Sequence, residues 1–541
     1  MATAWPSYVL ERLIYSSTRS SRSLQTRLAM FAVWLAVVSY LAWVHLVWRD
    51  EVRALSLALQ GNNVIAMLRG VHGEGHPALW YLLLRGTHTL VTSPKVLLLV
   101  SIIVVASAIL LLVLRSPFSL PFVALTMFGR FSIYEYSVLA RDYGISMLML
   151  FLFAALYKRH WNRGCLLGVV LFLLANCNVH SVFFVVGLLV FWLVDILSSA
   201  ADRPRLLRLY LYNSALAAIG IAACFLTVFP TFNDAALNSK SGGISFGVLF
   251  TGLALPGKQF IDVCFPGLLK LAKAVPLFGK PAVLWIIWIL SSLVMFGSTL
   301  GLIRRTGAFL AALMSLFGLS LFFTAISPGG YRHQALWIVF MICIYWMAVP
   351  VDGRDATAPS DWRKPMTASL SRCGMSFFLL LLLLQLPAVS YKVIGIALNR
   401  EQNASSVFVS HPELKQAVII ADPDFLVEAL PYYVSNPTYL IREQRYGNAV
   451  RFTSKALLDL SLDDVLANAR RLRQVTGKPV VILLCQKIDP SQPATVYPEG
   501  YDWTLSVTPQ QARTFLSSTK LIERYAPVQT DEVYSVYVLD Q

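Results

Sequence analysis

Long apolar stretches, separated by short polar or basic segments, fill the chain up to about residue 400. A helix needs about 20 mostly apolar residues to cross a bilayer, and on this measure the pattern contains about eleven candidate spans. These are residues 28–47, 96–114, 117–134, 143–157, 165–179, 182–198, 209–229, 282–302, 307–326, 333–350 and 374–394. The pattern predicts an α-helical polytopic membrane protein.

A further apolar stretch, residues 77–91, decides the predicted topology. If it lies in the membrane interface without crossing, basic runs such as Lys158–Arg163 and Arg203–Arg208 fall on the cytoplasmic side, as the positive-inside rule requires. If the stretch crosses the membrane, these basic runs lie on the outer side instead. Arg85 also interrupts the stretch, which is typical of an interfacial helix. We therefore predict a cytoplasmic N-terminus (residues 1–27) and an extracytoplasmic C-terminus.

The same topology divides the rest of the chain into regions. A transmembrane domain covers residues 28–398, with outer loops at 48–95 and 230–281. The second loop is rich in Gly, Pro and Lys, and it contains Ser239–Gly243 and Pro256–Lys258. This composition indicates a flexible outer lid.

From residue 400 the pattern changes to short apolar runs alternating with amphipathic ones, which predicts a soluble α/β domain at 399–541. Its expected strands are 417–421, 479–484 and 533–539, and its expected helices are 425–433 and 462–475, the second capped by Ser461 and stopped by Gly477. The sequence Asp422-Pro423-Asp424 resembles a DxD metal site. Because it follows a strand directly, a turn or helix cap is the preferred interpretation.

Composition supports the membrane assignment. Hydrophobic residues make up 57% of the 541 residues and charged ones 14%, against about 25% charged in soluble domains. The net charge of +16 comes from basic residues in short runs between spans, so we expect membrane lipids as partners and no nucleic acid. The seven cysteines are scattered without metal-ligand spacing, which is typical of small residues in packed helices.

Ionisable residues at the predicted outer ends of spans are the candidates for chemistry, because such residues are costly near a membrane unless they have a function. Asp50 and Glu51 follow the first span and fit a general base, a metal ligand or a solvated loop. Arg332 begins the tenth span, and a guanidinium matches phosphate bidentately. The other candidates are His76, Glu135, Arg141, Asp142, Tyr143, His180, Tyr331 and His333.

In these motifs the chain resembles the C-superfamily (GT-C) of membrane glycosyltransferases, which includes protein O-mannosyltransferases and the aminoarabinose transferase of lipid A. The resemblance rests on the acidic pair in Trp48–Glu51, the His-Pro-containing helix His76–Leu83, the Arg-x-Tyr element Arg141–Tyr143, His180, and the Tyr-Arg-His element Tyr331–His333. It extends over residues 28 to about 350. The chain departs from the commoner family pattern at Leu139, where a carboxylate is usual, and at Ala78, where a second proline is frequent.

The resemblance implies a polyprenyl-phosphate-sugar donor, a lipid, glycan or protein acceptor, and single displacement with inversion. It implies Asp50 as the base, and Arg332, with His333 or Arg141, as the phosphate-binding residues. Glu135 or Asp142 would replace the carboxylate missing at Leu139. Some relatives use a divalent metal such as Mg²⁺ or Mn²⁺ and others do not, and the acids here permit one without demanding it. The family implies a bacterial inner membrane with the C-terminal domain in the periplasm.

Two alternatives share the same expected substrates. A transporter or flippase for lipid-linked saccharides would also need a charged outer cavity, and it predicts internal repeats or interrupted helices. A polymerase or ligase of lipid-linked saccharides would use similar donors and is harder to separate from the favoured hypothesis.

Overall fold

The structure is a computed structural model that describes residues 7–16, 21–199, 202–229, 245–265, 280–348, 363–398, 401–497, 503–527, 530 and 532–540. Its internal contacts divide the chain into two compact units. The first, here called the bundle unit, comprises Met1–Trp43, Ser101–Phe225 and Gly243–Gly395. The second, the α/β unit, comprises Val44–Val100, Leu226–Gly242 and Ile396–Gln541.

Helices account for nearly all regular structure before residue 400. The first eleven α-helices are α1 (Ser7–Ile14), α2 (Ser21–Val44), α3 (Arg49–Ala58), α4 (Val64–Val71), α5 (Leu79–His88), α6 (Val96–Arg115), α7 (Leu120–Met127), α8 (Tyr143–His160), α9 (Leu166–Ala175), α10 (Ser181–Leu197) and α11 (Arg203–Val228). The next seven are α12 (Phe246–Ala254), α13 (Ile261–Cys264), α14 (Lys280–Leu300), α15 (Thr306–Ala325), α16 (Tyr331–Met347), α17 (Arg363–Leu383) and α18 (Leu386–Leu398).

Six helical segments of the described chain are long and apolar enough to cross a membrane, judged by length and composition. They are Ser21–Val44, Val96–Arg115, Arg203–Val228, Ala282–Leu300, Thr306–Ala325 and Met366–Leu398. The other predicted spans coincide with shorter or less apolar helices, such as α9 and α10. The prediction of a polytopic helical membrane protein is therefore confirmed in its coarse form, while the number eleven stays a prediction.

The predicted span 117–134 is interrupted. The eight-residue helix α7 ends at Met127, and a π-helical turn follows at Phe131–Glu135. Single π-turns are rare and occur often at functional sites, because the extra residue in the turn redirects nearby side chains. This turn brings Glu135 into the cluster of polar residues described below.

Two glycines allow close contact between helices in the bundle unit. A Cβ atom on Gly374 of α17 would lie 1.9 Å from the backbone nitrogen of Gly301, which follows α14. A Cβ atom on Gly301 would in turn overlap the Tyr345 hydroxyl at 1.7 Å. Small residues at such crossings let helix backbones approach, which is the main source of packing between membrane helices.

The two predicted outer loops contain helices. Residues 48–95 form α3, α4 and α5, and these belong to the α/β unit. Helix α5 has ten residues, about 15 Å at 1.5 Å per residue, against a hydrocarbon core about 30 Å thick. That residues 77–91 do not cross the membrane stays a prediction.

The predicted lid at 230–281 lies partly outside the described residues, and Ser239–Gly243 is among the residues not described. Its described part is ordered as α12, a 3₁₀ turn at Pro256–Lys258 and α13. The 3₁₀ turn packs on α14, because the Gly257 N–H donates to Ser292 Oγ at 3.0 Å. The described half of this segment therefore packs as part of the bundle unit.

The C-terminal part of the α/β unit is built on a mixed sheet. Its strands and helices are α19 (Ser405–Ser410), β1 (Val418–Asp422), β2 (Thr438–Leu440), β3 (Arg445–Tyr446), β4 (Asp459–Ser461), α20 (Leu462–Thr476), β5 (Val480–Leu484), β6 (Ala494–Val496), β7 (Thr504–Val507), α21 (Pro509–Ser518), β8 (Thr519–Tyr525) and β9 (Tyr534–Leu539). The main sheet has the order β3-β2-β1-β5-β9-β8, with β2, β1 and β5 parallel. A smaller sheet has the order β4-β7-β6.

Strand β5 is apolar throughout, and β1 is apolar up to its last residue, Asp422, because both of their faces are covered. Val418 and Ile420 pack in one core cluster with residues of α20, such as Leu466. Ile419 and Ala421 point the other way, into a cluster that contains Trp503. Each strand is fully buried along its length, as the continuous apolar runs predict.

The expected strands 417–421, 479–484 and 533–539 and the helix 462–475 are present, with Ser461 as N-cap and Gly477 at φ +67° as C-cap. The expected helix 425–433 is wrong. Two 3₁₀ turns, Asp424–Val427 and Leu430–Tyr432, occupy this segment. Pro431 has no N–H to donate and clashes with the preceding turn, so a continuous α-helix cannot form there.

Candidate functional site

Three helices of the bundle unit begin next to one another. The Tyr143 hydroxyl, at the start of α8, lies 2.7 Å from His333 Nε2 in the first turn of α16. The ring of His180, which precedes α10, lies 4.9 Å from the His333 ring, centroid to centroid. Each helix start carries about half a positive charge from its exposed N–H groups. Three helix starts close together therefore favour the binding of an anion.

Hydrogen bonds assign the tautomer of His333. The Gly330 N–H donates to Nδ1 at 3.0 Å, so Nδ1 acts as an acceptor. The proton of the neutral ring is then on Nε2, which donates to the Tyr143 oxygen. The Tyr143 hydroxyl keeps its own proton for another acceptor. The hydrogen bond between His333 and Tyr143 connects α16 to α8.

Glu135 is the acid at the centre of this cluster. Its side chain is buried and accepts two hydrogen bonds from Arg130, from Nε at 3.0 Å and from the terminal nitrogen at 2.7 Å. Arg332 approaches its other oxygen at 4.0 Å. The Arg130 guanidinium lies over the Tyr331 ring at 4.0 Å, and the Tyr136 hydroxyl donates to the Arg332 carbonyl at 2.8 Å. One carboxylate thus faces two guanidiniums.

The remaining predicted residues of the bundle unit adjoin this cluster. Tyr331 donates its hydroxyl hydrogen to Gln385 Oε1. Asp142 is buried and immediately precedes α8, and Arg141 is half-buried beside it. Contacts thus link six of the residues predicted from sequence: Glu135, Tyr143, His180, Tyr331, Arg332 and His333. Arg141 and Asp142 lie next to them in the chain.

The two acids of the Asp50–Glu51 pair have different environments in the α/β unit. Both lie in the first turn of α3, where the helix dipole favours negative charge. Glu51 is fully buried, and its Oε2 accepts the Trp48 N–H at 3.1 Å and contacts His45 Nε2 at 2.9 Å. The side chain of Asp50 is 36% exposed, with Arg49 Nε 3.8 Å away. Asp50 is therefore the accessible acid, while the contacts of Glu51 are structural.

Helix α3 is anchored to the C-terminal domain on both sides of Asp50. The Arg49 N–H donates to Glu532 Oε1 at 3.0 Å, and the Arg49 guanidinium lies 4.4 Å from the centroid of the Phe425 ring. One turn further, the Arg53 guanidinium lies 5.1 Å from the centroid of the Phe452 ring. These contacts fix the backbone that carries Asp50.

Arg53 forms a buried ion triad with Glu74 and Glu428. It binds Glu74 bidentately, at 2.5 Å from Nε and 2.7 Å from a terminal nitrogen, and its other terminal nitrogen donates to Glu428. Glu428 Oε1 also accepts the Val450 N–H at 2.7 Å. Arg53 and Glu428 are 375 residues apart in sequence, so the triad connects α3 to the C-terminal domain.

Burial raises the pKa of Glu428 to about 7, from an ordinary value of 4.5, while Arg53 opposes the shift. A raised pKa means that the folded state binds the proton more tightly than the unfolded state. The stability contributed by this group is therefore complete below about pH 4.5 and lost as the pH rises through 7.

We expect Glu428→Gln to remove this pH dependence. The wild-type unfolding temperature of the α/β unit, followed by scanning fluorimetry of the full chain, should fall relative to the variant between pH 4.5 and 7. Glu413→Gln, at an exposed acid of the same domain, is the matched control and should track the wild type across this range. Parallel profiles for wild type and Glu428→Gln would contradict the assignment.

Asp422 and Asp424 act as structural residues, as their position after a strand predicts. Asp422 pairs with the buried Arg442, whose Nε lies 2.8 Å from it. Asp424 accepts the N–H groups of Ile441 and Arg442 at 2.8 and 3.0 Å. Burial raises the pKa of Asp422 to about 6 although Arg442 lowers it. Both carboxylates are therefore committed to the fold of the domain.

A divalent metal would need a set of oxygen ligands from these clusters. Within the described residues, no group of three or more His, Cys, Asp or Glu side chains is arranged to hold one. The acids of the described residues do not fit a metal site built from protein ligands alone.

The two clusters contain several residues that the sequence does not predict as functional. Sequence patterns alone do not select Arg53, Glu74, Arg130 or Glu428. A local signal existed for Arg53, because it lies one helical turn from Arg49 and on the same face as Asp50. His76 is half-buried and lies two residues after Glu74, before α5 begins.

No family model matches the chain, and no curated protein matches it. Among solved structures it is similar to the arabinofuranosyltransferase AftD from mycobacteria, determined by single-particle cryo-electron microscopy. The sequence identity is 10% and the TM-score 0.35, and the match covers 98% of this chain. The chain spans 40% of that protein's length. A similarity at this level does not assign an activity.

Proposed function

We propose that the chain transfers a sugar from a polyprenyl-phosphate-linked donor to an acceptor at the outer face of a membrane, by single displacement with inversion. The observation that carries the proposal is the polar cluster of the bundle unit. Arg332, Arg130, Glu135, Tyr143 and His333 meet near the starts of α8, α10 and α16. Such residues are rare among membrane helices unless they have a function.

The cluster suits a lipid phosphate. In the proposed reaction the acceptor oxygen forms a bond to the anomeric carbon as the bond to the phosphate oxygen breaks, and polyprenyl phosphate leaves with its negative charge. The N–H groups at helix starts stabilise that charge, and so does a guanidinium, which stays protonated. Arg332 is the candidate for direct contact, because Arg130 makes the shorter pair with Glu135.

Removal of the acceptor proton requires a base. Asp50 is the proposed base, because it is the accessible acid at the start of α3 while Glu51 is fully buried. The proton passes from the acceptor hydroxyl to the Asp50 carboxylate as the new glycosidic bond forms. The anchors at Arg49 and Arg53 hold the helix that presents this carboxylate.

A bilayer-bound donor explains the apolar spans in the same protein. Polyprenyl chains stay in the membrane, so the enzyme has to be embedded to reach the phosphate. We propose a bacterial inner membrane, with the N-terminus in the cytoplasm and the C-terminal domain in the periplasm. Basic runs such as Lys158–Arg163 support this orientation through the positive-inside rule.

The proposal is tested with purified protein and defined polyprenyl-phosphate sugars. Transfer to an acceptor, or release of the sugar to water, supports it. Absence of sugar release from every donor tested contradicts it. The interrupted helix at Phe131–Glu135 is the feature that a transporter would predict. In vesicles, movement of the intact donor between leaflets without cleavage would favour that alternative.

We expect Arg332→Ala to weaken binding of the polyprenyl-phosphate sugar at least about tenfold, since a hydrogen bond to a charged group is worth about 1.5–3 kcal/mol. Arg332→Lys should restore part of the affinity, because a single ammonium replaces the two-pronged guanidinium. The measurement is donor affinity by equilibrium binding in detergent.

Arg304→Ala is the matched control, because it removes an arginine whose side chain is 52% exposed. It should leave donor affinity unchanged. Equal affinity for Arg332→Ala and wild type would exclude Arg332 from the phosphate site and make Arg141 the next residue to test.

A further inference from the structure

A cavity of about 370 Å³ opens beside α3 within the α/β unit. Arg53 and Leu57 of α3 form one wall, and Asn448 and Arg451 of the segment after β3 form another. The volume falls in the range of about 300–1,000 Å³ that is typical of small-molecule sites. The cavity is therefore large enough for a ligand.

The cavity lies along the helix face that carries the proposed base. Asp50, Arg53 and Leu57 are spaced i, i+3 and i+7, so they share one face of α3. At 1.5 Å per residue, Leu57 is about 10 Å further along the axis than Asp50. A molecule in the cavity that extends by about 10 Å along α3 would thus reach the Asp50 carboxylate.

The described lining is mainly polar. Side-chain amides come from Gln60 and Asn448, and a further guanidinium comes from Arg451. Gly61, Gly70 and Gly447 also line the cavity, and its apolar lining residues are Leu57, Ala449 and Val450. Such walls suit a hydroxyl-rich ligand and do not suit an acyl chain.

Two of the three arginines that line the cavity, Arg53 and Arg445, are paired with carboxylates. Arg53 lies between Glu74 and Glu428, and Arg445 Nε donates to Glu443 at 2.7 Å. The same Glu443 accepts the backbone N–H of Arg451 at 2.6 Å, while the Arg451 side chain is exposed. Paired guanidiniums and carboxylates present donors and acceptors side by side, and each pair carries less net positive charge than an arginine alone. Neutral sugar hydroxyls need both, whereas an anion needs an excess of positive charge.

The cavity is also built rigidly. Arg85 donates to the carbonyls of Ala58, Gln60 and Gly61 at 3.0, 2.9 and 3.0 Å, which fixes the segment after α3. Gly61 has φ +68°, and a Cβ atom there would lie 2.6 Å from Ala66 Cβ, so the turn requires glycine. A preformed site binds its ligand with a smaller entropy loss.

We propose that this cavity is a subsite for one or two sugar rings of a neutral acceptor glycan, so that the acceptor of the chain is a saccharide. The proposal rests on the proposed glycosyl transfer and names its acceptor class. The bound rings would place the acceptor hydroxyl along α3 towards Asp50.

The test uses the full-length protein in detergent and a printed array of neutral di- to hexasaccharides of the gluco, manno, galacto and arabino series. At least one series should bind. Asn448→Ala and the cavity-filling Gly70→Leu should each weaken that binding at least tenfold. Gly70 lies on α4, where leucine is a better helix former, and the nearest atom to its added Cβ is the flexible Gln60 Oε1 at 3.0 Å.

Asn468→Ala, at an asparagine of α20 outside the cavity, is the matched control and should bind as the wild type does. Binding by no array member would overturn the proposal. Normal binding by both cavity variants would also overturn it. Displacement of the saccharide by inorganic phosphate would show an anion site and overturn it as well.

A second measurement separates this subsite from the proposed function. With a cleavable donor, both cavity variants should still release the sugar to water at the wild-type rate but lose transfer to the glycan. Glycan binding without cleavage of any donor would refute the proposed function and leave the subsite standing. Wild-type transfer to glycan by the cavity variants would refute the subsite and leave the proposed function standing.

Discussion

Asp50→Asn should lower the rate of sugar transfer by about 10²–10⁴-fold, the usual contribution of a general base. The substitution keeps the size of the side chain and removes its capacity to accept a proton. Asp50 is the expected site of the effect because its side chain is 36% exposed at the start of α3. The measurement is the transfer rate at saturating donor, with donor affinity measured in parallel and expected to stay near normal.

Glu51→Gln is the matched control. It removes the neighbouring carboxylate, which is fully buried and accepts the Trp48 N–H. The amide oxygen can still accept this hydrogen bond, so any loss should appear as lower stability, with the transfer rate per folded molecule preserved.

Other outcomes would reassign the chemistry. Partial recovery of Asp50→Asn at high metal concentration would make Asp50 a metal ligand. A wild-type transfer rate would exclude both roles. The acting acid would then be sought at Glu51, Glu135 or Asp142.

The parts of the fold that the sequence predicts well are those specified by local patterns. Strand β5 and the first four residues of β1 are continuous apolar runs, which fit strands covered on both faces. Helix α20 carries its own start and stop signals in Ser461 and Gly477. The error at 425–433 also has a local cause, because Pro431 prevents a continuous α-helix there.

The residues of the candidate site also divide into those that local sequence patterns predict and those that they do not. Residues at helix starts, such as Tyr143 and His333, can be found from sequence because hydropathy places them at the ends of spans. Arg53 and Glu428 cannot be paired by any local pattern, since 375 residues separate them. Arg130 lies within a predicted apolar span, and only the π-turn that follows it brings its guanidinium to Glu135.

The buried triad gives the second large expected effect. Arg53→Met should destabilise the α/β unit by about 3–5 kcal/mol, because removal of one partner leaves buried carboxylates without their counter-charge. The side chains of Glu74 and Glu428 are 9% and 1% exposed, so water cannot replace the guanidinium. Hydrogen exchange in the full-length protein, read on peptides from α3 and residues 446–452, measures the local free energy of opening.

Arg69→Met is the matched control, because it makes the same substitution at an exposed position of α4. In this variant the free energy of opening should stay within about 0.5 kcal/mol of the wild-type value, as for most surface substitutions. Equal protection in Arg53→Met and Arg69→Met would contradict a structural role for the triad. Arg53→Lys should fall between the two, since one ammonium cannot bind Glu74 bidentately and reach Glu428 as well.

The triple variant Arg53→Met, Glu74→Leu, Glu428→Leu separates charge pairing from packing. Removal of all three charges together leaves no uncompensated ion, and apolar replacements of buried ion groups are often neutral or stabilising. We expect most of the lost protection to return, apart from the bond that Glu428 accepts from Val450. If protection returns and sugar transfer does too, the triad serves stability. If protection returns while transfer stays low with normal donor binding, the Arg53 guanidinium acts in transfer beyond stability, as part of the wall of the proposed acceptor cavity.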